Sequence, residues 1–264
     1  MTQDLSYHLH HIDAAVRLLG GFEGCRVLEI GGRLPREVGL GTYKAAEWLC
    51  VDFPGYWHEA YGASGHPEVA YDGPVESAVS GLAWSSWAGS VLDLPQRFDG
   101  YFDFAFSTCA FEHIADVKGA LSAIHRGLKD GGRFFLSAMA IWPSSFGHHL
   151  PPVFHDGIEL SYANPPFPVW SHLLQDREGM AALLEQTYPR EVAERILHFV
   201  YDSPHINRQF VEDYAEALEN AGFSESRLGH VEGEEPSADI LSRLVERWGP
   251  RRYSDLGVVM LGHK

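Results

Sequence analysis

The stretch Arg26-Val27-Leu28-Glu29-Ile30-Gly31-Gly32 decides the fold. Its apolar residues read as a short buried strand, and the paired glycines end that strand in a turn where backbone N–H groups can approach a ligand closely. Upstream, Leu5, Leu9, Ile12, Val16 and Leu19 alternate gaps of four and three, one face of an amphipathic helix stopped by Gly20-Gly21. Downstream, Glu47-Trp48-Leu49-Cys50-Val51 predicts a second strand ending at Asp52, and Tyr101 to Phe106 a third. Asp52 follows Gly31 by 21 residues. In a doubly wound sheet that spacing brings a carboxylate beside the first loop, within reach of ribose hydroxyls. On spacing alone, a plain turn and a strand-end acid are the alternative.

Farther on, Val117, Ala120, Leu121, Ile124 and Leu128 trace a helix face that Asp130-Gly131-Gly132 is expected to close with a left-handed cap. Phe134 to Met139 is another apolar strand. Strands alternating with helices predict an α/β fold with a doubly wound, mostly parallel sheet. Two stretches depart from alternation. Residues 54–88, rich in Gly, Ser, Tyr and Trp, predict an irregular insertion. Residues 141–206 open with a Pro- and His-rich loop and continue into two helices, one carrying Met180, Leu183 and Leu184, the other Val192, Ile196, Phe199 and Val200. They read as an inserted acceptor-binding cap, leaving residues 1–140 and 207–264 as the main domain. With few periodic apolar positions of its own, the cap is expected to fold only by packing over the sheet's carboxyl edge. A last helix near 208–220, a strand near 226–230 and the apolar Leu256 to Leu261 complete the sheet.

Composition narrows the partners. The 264 residues carry a net charge of −16, with basic residues scattered singly apart from Arg251-Arg252. A nucleic-acid backbone needs clustered Lys and Arg to displace counterions, and an anionic membrane surface asks for the same. Neither is an expected partner. Three cysteines, Cys25, Cys50 and Cys109, are odd in number and form no C-x-x-C pair. They read as small buried hydrophobes in a reducing compartment. With no basic, apolar leader and no membrane-length apolar run, the expected location is cytoplasmic.

Four motifs then resemble, in order and near spacing, those of class I S-adenosylmethionine-dependent methyltransferases. Val27-Leu28-Glu29-Ile30-Gly31-Gly32 resembles the first motif and Gly89-Ser90-Val91-Leu92-Asp93-Leu94-Pro95 the third. Phe102-Asp103-Phe104-Ala105-Phe106-Ser107 through Phe111-Glu112-His113-Ile114 is similar to the fourth, and Leu128 to Phe134 to the joint before the fifth strand. The resemblance covers residues 1–140 and, more faintly, 208–264. It implies a seven-stranded sheet whose last strand is antiparallel, with S-adenosylmethionine as cofactor. Residue by residue, it implies that Gly31 and Gly32 pass beneath the methionine part while Glu29 orients the loop or the amino group. Asp52 would hold the ribose with Phe53 against the adenine, Ser90 and the Val91 N–H would meet the adenine edge, and Ser107 and Thr108 would line the methionine side. Ser90 stands where the family usually has Asp. Arg33 and Pro35 replace the family's second and third glycines; Arg33 either pairs with the cofactor carboxylate, which a guanidinium matches bidentately, or points to solvent.

The acceptor side is expected in the loop Trp142-Pro143-Ser144-Ser145-Phe146-Gly147-His148-His149-Leu150, which resembles the acceptor region of methyltransferases of surface-sugar and secondary-metabolite pathways. Its histidines have three readings: hydrogen bonding within the cap, a catalytic base at His148 or His149, or metal binding. No other His, Asp or Glu spacing completes a metal ligand set, so no metal is expected. Adjacent residues face different ways, so at most one of the pair is the base. His113 reads as a packing or hydrogen-bonding residue, and Glu232-Gly233-Glu234-Glu235 as a solvated loop. The functional expectation is O-methylation of a small-molecule acceptor, a sugar or secondary-metabolite hydroxyl. Other readings are N-methylation on the same fold, a nicotinamide-dependent oxidoreductase, or a non-catalytic relative of the fold.

Overall fold

The computed structural model describes residues 6–31, 34–53, 55, 59–60, 83–204 and 206–264. Gly32, Arg33 and most of the 54–88 stretch lie outside the described residues. The chain builds a seven-stranded sheet from β1 (Arg26–Ile30), β2 (Glu47–Asp52), β3 (Trp84–Ala88), β4 (Phe102–Ser107), β5 (Leu128–Met139), β8 (Glu225–Glu232) and β9 (Asp255–His263). Their spatial order is β3-β2-β1-β4-β5-β9-β8. β1 to β5 run parallel, while β9 is antiparallel to both of its neighbours. This is an α/β, doubly wound sheet with an antiparallel last strand, and the order reverses between β1 and β4, where ligands bind in such sheets.

Side-chain alternation along the strands makes two cores. Val27, Trp48, Cys50, Phe104, Phe106 and Phe135 face α1 (Ser6–Leu19), where Ile12, Ala15 and the following Phe22 are buried against them. Leu28, Ile30, Leu49, Val51, Ala105 and Leu136 face α2 (Val117–Gly127) and α6 (Val211–Glu219) on the other side. Strands buried on both faces read as continuous apolar runs, which is why β1, β2 and β4 are visible in the sequence.

Three features differ from expectation. First, α2 stops at Gly127 and Leu128 already belongs to β5. The N–H groups of Gly100 and Tyr101 take the carbonyls of Arg126 and Gly127, each at 2.9 Å, closing the helix earlier than the Gly pair. Gly131 (φ +73°) instead turns within β5, near the register shift opposite Phe102 and Phe104. Second, residues 84–88 are no irregular insertion but the edge strand β3; buried Ser85 and Ser86 hide its apolar character.

Third, residues 141–206 bury a larger apolar cluster than their few periodic positions suggest, and they share it with Phe210, Leu244 and Tyr253 of the 207–264 stretch. A hairpin of β6 (Val153–His155) and β7 (Ile158–Leu160) joins α3 (Ser171–Leu174), α4 (Arg177–Leu184) and α5 (Arg190–Leu197). Leu150, Phe167, Trp170, Leu173, Met180 and Ile196 are buried together there. The expected elements include no helix at α7 (Ala238–Trp248), yet its Leu244, with Phe210 and Tyr253, is part of this cluster and completes it from the 207–264 stretch. Large aromatic side chains on short segments supply the burial, so no helical period announces it. Among the described residues, no helix is long and apolar enough to cross a membrane.

Candidate functional site

At the carboxyl end of β1 the backbone turns at Gly31 with φ +69°. Its N–H still bonds the Val51 carbonyl at 2.8 Å, so the turn begins while held in the sheet. A Cβ placed on Gly31 would lie 2.2 Å from the Cβ of Ala110, in the loop after β4. The two loops therefore touch, and the first is backbone-thin at the contact. Asp52 ends β2 half-buried, and its carbonyl accepts the Gly89 N–H at 2.9 Å. Beside it in the chain, Phe53 is 53% exposed. Ser90 accepts the Leu92 N–H at 3.2 Å and so caps the single turn that begins at buried Val91. Its hydroxyl proton stays available to a ligand.

Two of the expected residues act on the scaffold. Ser107 is fully buried and donates to the Ile30 carbonyl at 2.9 Å, stitching β4 to β1 directly under the turn. Glu29 is buried on the α1 face of the sheet, where its carboxylate accepts Trp48 Nε1–H at 2.6 Å and the Cys50 thiol at 3.0 Å. Burial and that carboxylate push the Cys50 thiol well up, so it stays a protonated donor. Thr108, next in chain after Ser107, is different. Its Oγ1 is buried and has no hydrogen-bond partner among the described residues.

The loop after β4 is joined to the end of β5 at a buried acid. Glu112 is buried, its carboxyl accepts the Met139 N–H, and desolvation pushes its pKa up to about 8. The Glu112 carbonyl accepts the N–H of Asn207 at 2.9 Å. The Asn207 side chain in turn donates to the carbonyls of Phe111 and Ile114 and accepts from Tyr214 Oη–H at 3.0 Å. Asn207 thus ties the segment returning from the cap to the post-β4 loop and to α6. Glu112 lies inside the stretch that resembles the fourth motif, where the resemblance implies no role for it, and Asn207 has no signal in the sequence.

The two adjacent histidines part company. His149, at φ +45°, sets Nε2 2.7 Å from the Ala140 carbonyl oxygen and 3.1 Å from that of Met139, at the carboxyl end of β5. Carbonyls only accept, so Nε2 bears the proton and Nδ1 carries the lone pair. Its ring meets His113 edge-on at 4.9 Å, and burial lowers its pKa, keeping it neutral at pH 7. His148 is buried inside the cap, against Phe167 and His172. Of the two, His149 is the one at the strand ends. Among the described residues, no group of three or more His, Cys, Asp or Glu is arranged to hold a metal ion.

The arrangement suits a nucleoside ligand: a glycine turn that a Cβ would block, an acid at the end of the adjacent strand, an exposed ring beside it and an orphaned buried hydroxyl at Thr108. Residues 37–136 match the family model of a methyltransferase domain, a stretch that starts after the glycine turn and ends in β5. No curated protein matches the sequence. Among solved structures, the chain is similar to an S-adenosylmethionine-dependent methyltransferase from Mesorhizobium loti, at 16% identity and TM-score 0.48 over 96% of each chain. It is similar to a SAM-dependent methyltransferase from Archaeoglobus fulgidus at 13% identity and TM-score 0.47, over 99% of this chain and 97% of that one. Phosphoethanolamine N-methyltransferase 2 of Haemonchus contortus, in complex with S-adenosyl-L-methionine, aligns at 12% identity and TM-score 0.49, over 97% of this chain and 52% of that one.

Proposed function

We propose that this chain is a class I S-adenosylmethionine-dependent methyltransferase that methylates a hydroxyl of a small-molecule acceptor with His149 as the base. The observation that carries the reading is the orientation of His149. With Nε2–H committed to the Met139 and Ala140 carbonyls, Nδ1 is the ring atom left to take a proton. The family match favours this reading over the nicotinamide-dependent oxidoreductase and the non-catalytic fold considered above.

S-adenosylmethionine, when bound, supplies an electrophilic methyl group on a sulfonium. The remaining work falls to the chain. Gly31 lets the backbone come close to the methionine part, and Thr108 Oγ1 offers it a hydrogen bond. Asp52 accepts from the ribose hydroxyls, Phe53 covers the adenine face, and Ser90 with the Val91 N–H reads its edge. The cap excludes water and aligns the acceptor, which is where much of the rate of an in-line displacement comes from. His149 Nδ1 takes the hydroxyl proton as the oxygen becomes the nucleophile. Its depressed pKa keeps this nitrogen unprotonated through the neutral range, at the expense of basicity.

Two results test the assignment. Asp52→Ala is expected to weaken S-adenosylmethionine binding at least about tenfold by titration calorimetry, since a hydrogen bond to a charged group is worth about 1.5–3 kcal/mol. Unchanged affinity in the folded variant would remove Asp52 from the ribose. His149→Ala should cut kcat on a hydroxyl acceptor by roughly 10²-fold while cofactor affinity holds, because a positioned base contributes about 10²–10⁴-fold. That deficit should narrow as pH rises and the acceptor ionises unaided. A constant deficit, or none, would assign the proton elsewhere; transfer to amine acceptors alone would turn the reading to nitrogen.

A further inference from the structure

Within the cap, His148 and His172 take no part in the proposed methyl transfer, yet both are only 1% exposed. Their partners dictate their tautomers. The Leu150 N–H donates to His148 Nδ1 at 3.2 Å, so in the neutral ring the proton resides on Nε2. His172 Nε2 lies 2.9 Å from the Trp142 carbonyl oxygen, which can only accept, so that ring also carries its proton on Nε2 and presents a bare Nδ1. One ring therefore has a donor left over and the other an acceptor. The rings stand 5.5 Å apart, centre to centre, crossed at 65°. Among the described residues neither His148 Nε2 nor His172 Nδ1 has a hydrogen-bond partner, and the same holds for the buried Oγ of Ser144 on the same loop.

We propose that His148 Nε2–H and His172 Nδ1 are bridged by one buried water molecule, which accepts from the first and donates to the second. Two hydrogen bonds of about 2.8 Å meeting at one oxygen span up to roughly 5.5 Å between the outer nitrogens, and rings whose centres are 5.5 Å apart can hold one edge nitrogen of each within that span. The water's remaining capacity suits the Ser144 hydroxyl, giving the two to four polar partners that buried waters have. A metal ion does not fit this pair. A ligating imidazole nitrogen must be bare, and with His148 Nδ1 occupied by Leu150 only His172 offers a lone pair. The bridge fastens the 141–150 loop, which carries His149, to α3.

The test reads the wild-type protein first. Long-range proton–nitrogen correlation on ¹⁵N-labelled protein at pH 7 should show both rings protonated at Nε2, with a cross-peak between the His148 Nε2 proton and a slowly exchanging water. An Nδ1–H tautomer at His148, the absence of that cross-peak, or stoichiometric zinc in the purified protein would each overturn the proposal. Stability supplies an independent arm. His148→Leu and His172→Leu should each lower Tm by about 3–8 °C, because each orphans the other ring's buried polar atom as well as its own backbone partner, the Leu150 N–H or the Trp142 carbonyl. The double variant should lose clearly less than the two single losses together, since it removes the orphan along with its partner. Additive losses would refute a shared bridge.

Discussion

Glu112→Gln is expected to raise the melting temperature by roughly 5–15 °C at pH 8.5 and to change it little at pH 4.5. The reason is the burial of a carboxyl group that the fold keeps protonated, with its pKa pushed up to about 8. In the unfolded chain the same group ionises near its ordinary value of about 4.3. Between those values the unfolded state releases a proton that the folded state retains, so stability falls as pH rises through that window and levels off above it. A shift of this size corresponds to a few kcal/mol, on the order of 1.4 for each unit. Glutamine copies the protonated acid: its carbonyl can still accept the Met139 N–H, and its amide replaces the O–H donor. Below the window the two proteins are near-equivalent; above it only the wild type pays for the mismatch. Differential scanning calorimetry at the two pH values settles the matter. An equal gap at both would mean that Glu112 is ionised in the folded protein and that a cation or donor outside its described partners holds it.

That acid also shows where the sequence stops being informative. β1, β2 and β4 are legible because parallel strands buried on both faces must be continuously apolar, and Asp52 is legible because chain spacing in a doubly wound sheet is nearly fixed. β3 hides behind Ser85 and Ser86, whose burial depends on β2 beside them. The boundary at Leu128 hides because that residue is buried in the same core whether it ends a helix or begins a strand. Glu112 reads as an ordinary surface-type acid until Asn207, far along the chain, bonds its carbonyl and the carbonyls around it. His148 and His149 cannot be told apart by type or position. The left-handed backbone at His149 turns one ring to the strand ends and leaves the other in the cap. Long-range packing decides each of these, and no local pattern encodes it.

Gly31→Ala should damage both the stability of the fold and the binding of the cofactor. Two separate penalties fall on it. The backbone there has φ +69°, and an L-residue in that conformation costs about 1–2 kcal/mol. The new Cβ would also lie 2.2 Å from the Ala110 Cβ, well inside contact distance, so one of the two loops must move. Overpacking of this kind costs about 1–3 kcal/mol where the surroundings can shift. Here the shift is constrained, because Gly31 is tied to Val51 through its N–H and Ile30 to Ser107 through its carbonyl. The expected outcome is a loss of about 2–5 kcal/mol in stability by urea unfolding, together with S-adenosylmethionine affinity reduced beyond about tenfold. The pair Gly31→Ala with Ala110→Gly separates the causes. Removing the opposing methyl relieves the clash and leaves the backbone strain, so the double variant should recover roughly half of the stability lost. Cofactor affinity should return with it only if the displaced loop, and not the added methyl itself, was what closed the cradle. Full stability in the single variant would mean that the turn after β1 is looser than its contact with Ala110 requires, and Gly31 would lose its place under the cofactor.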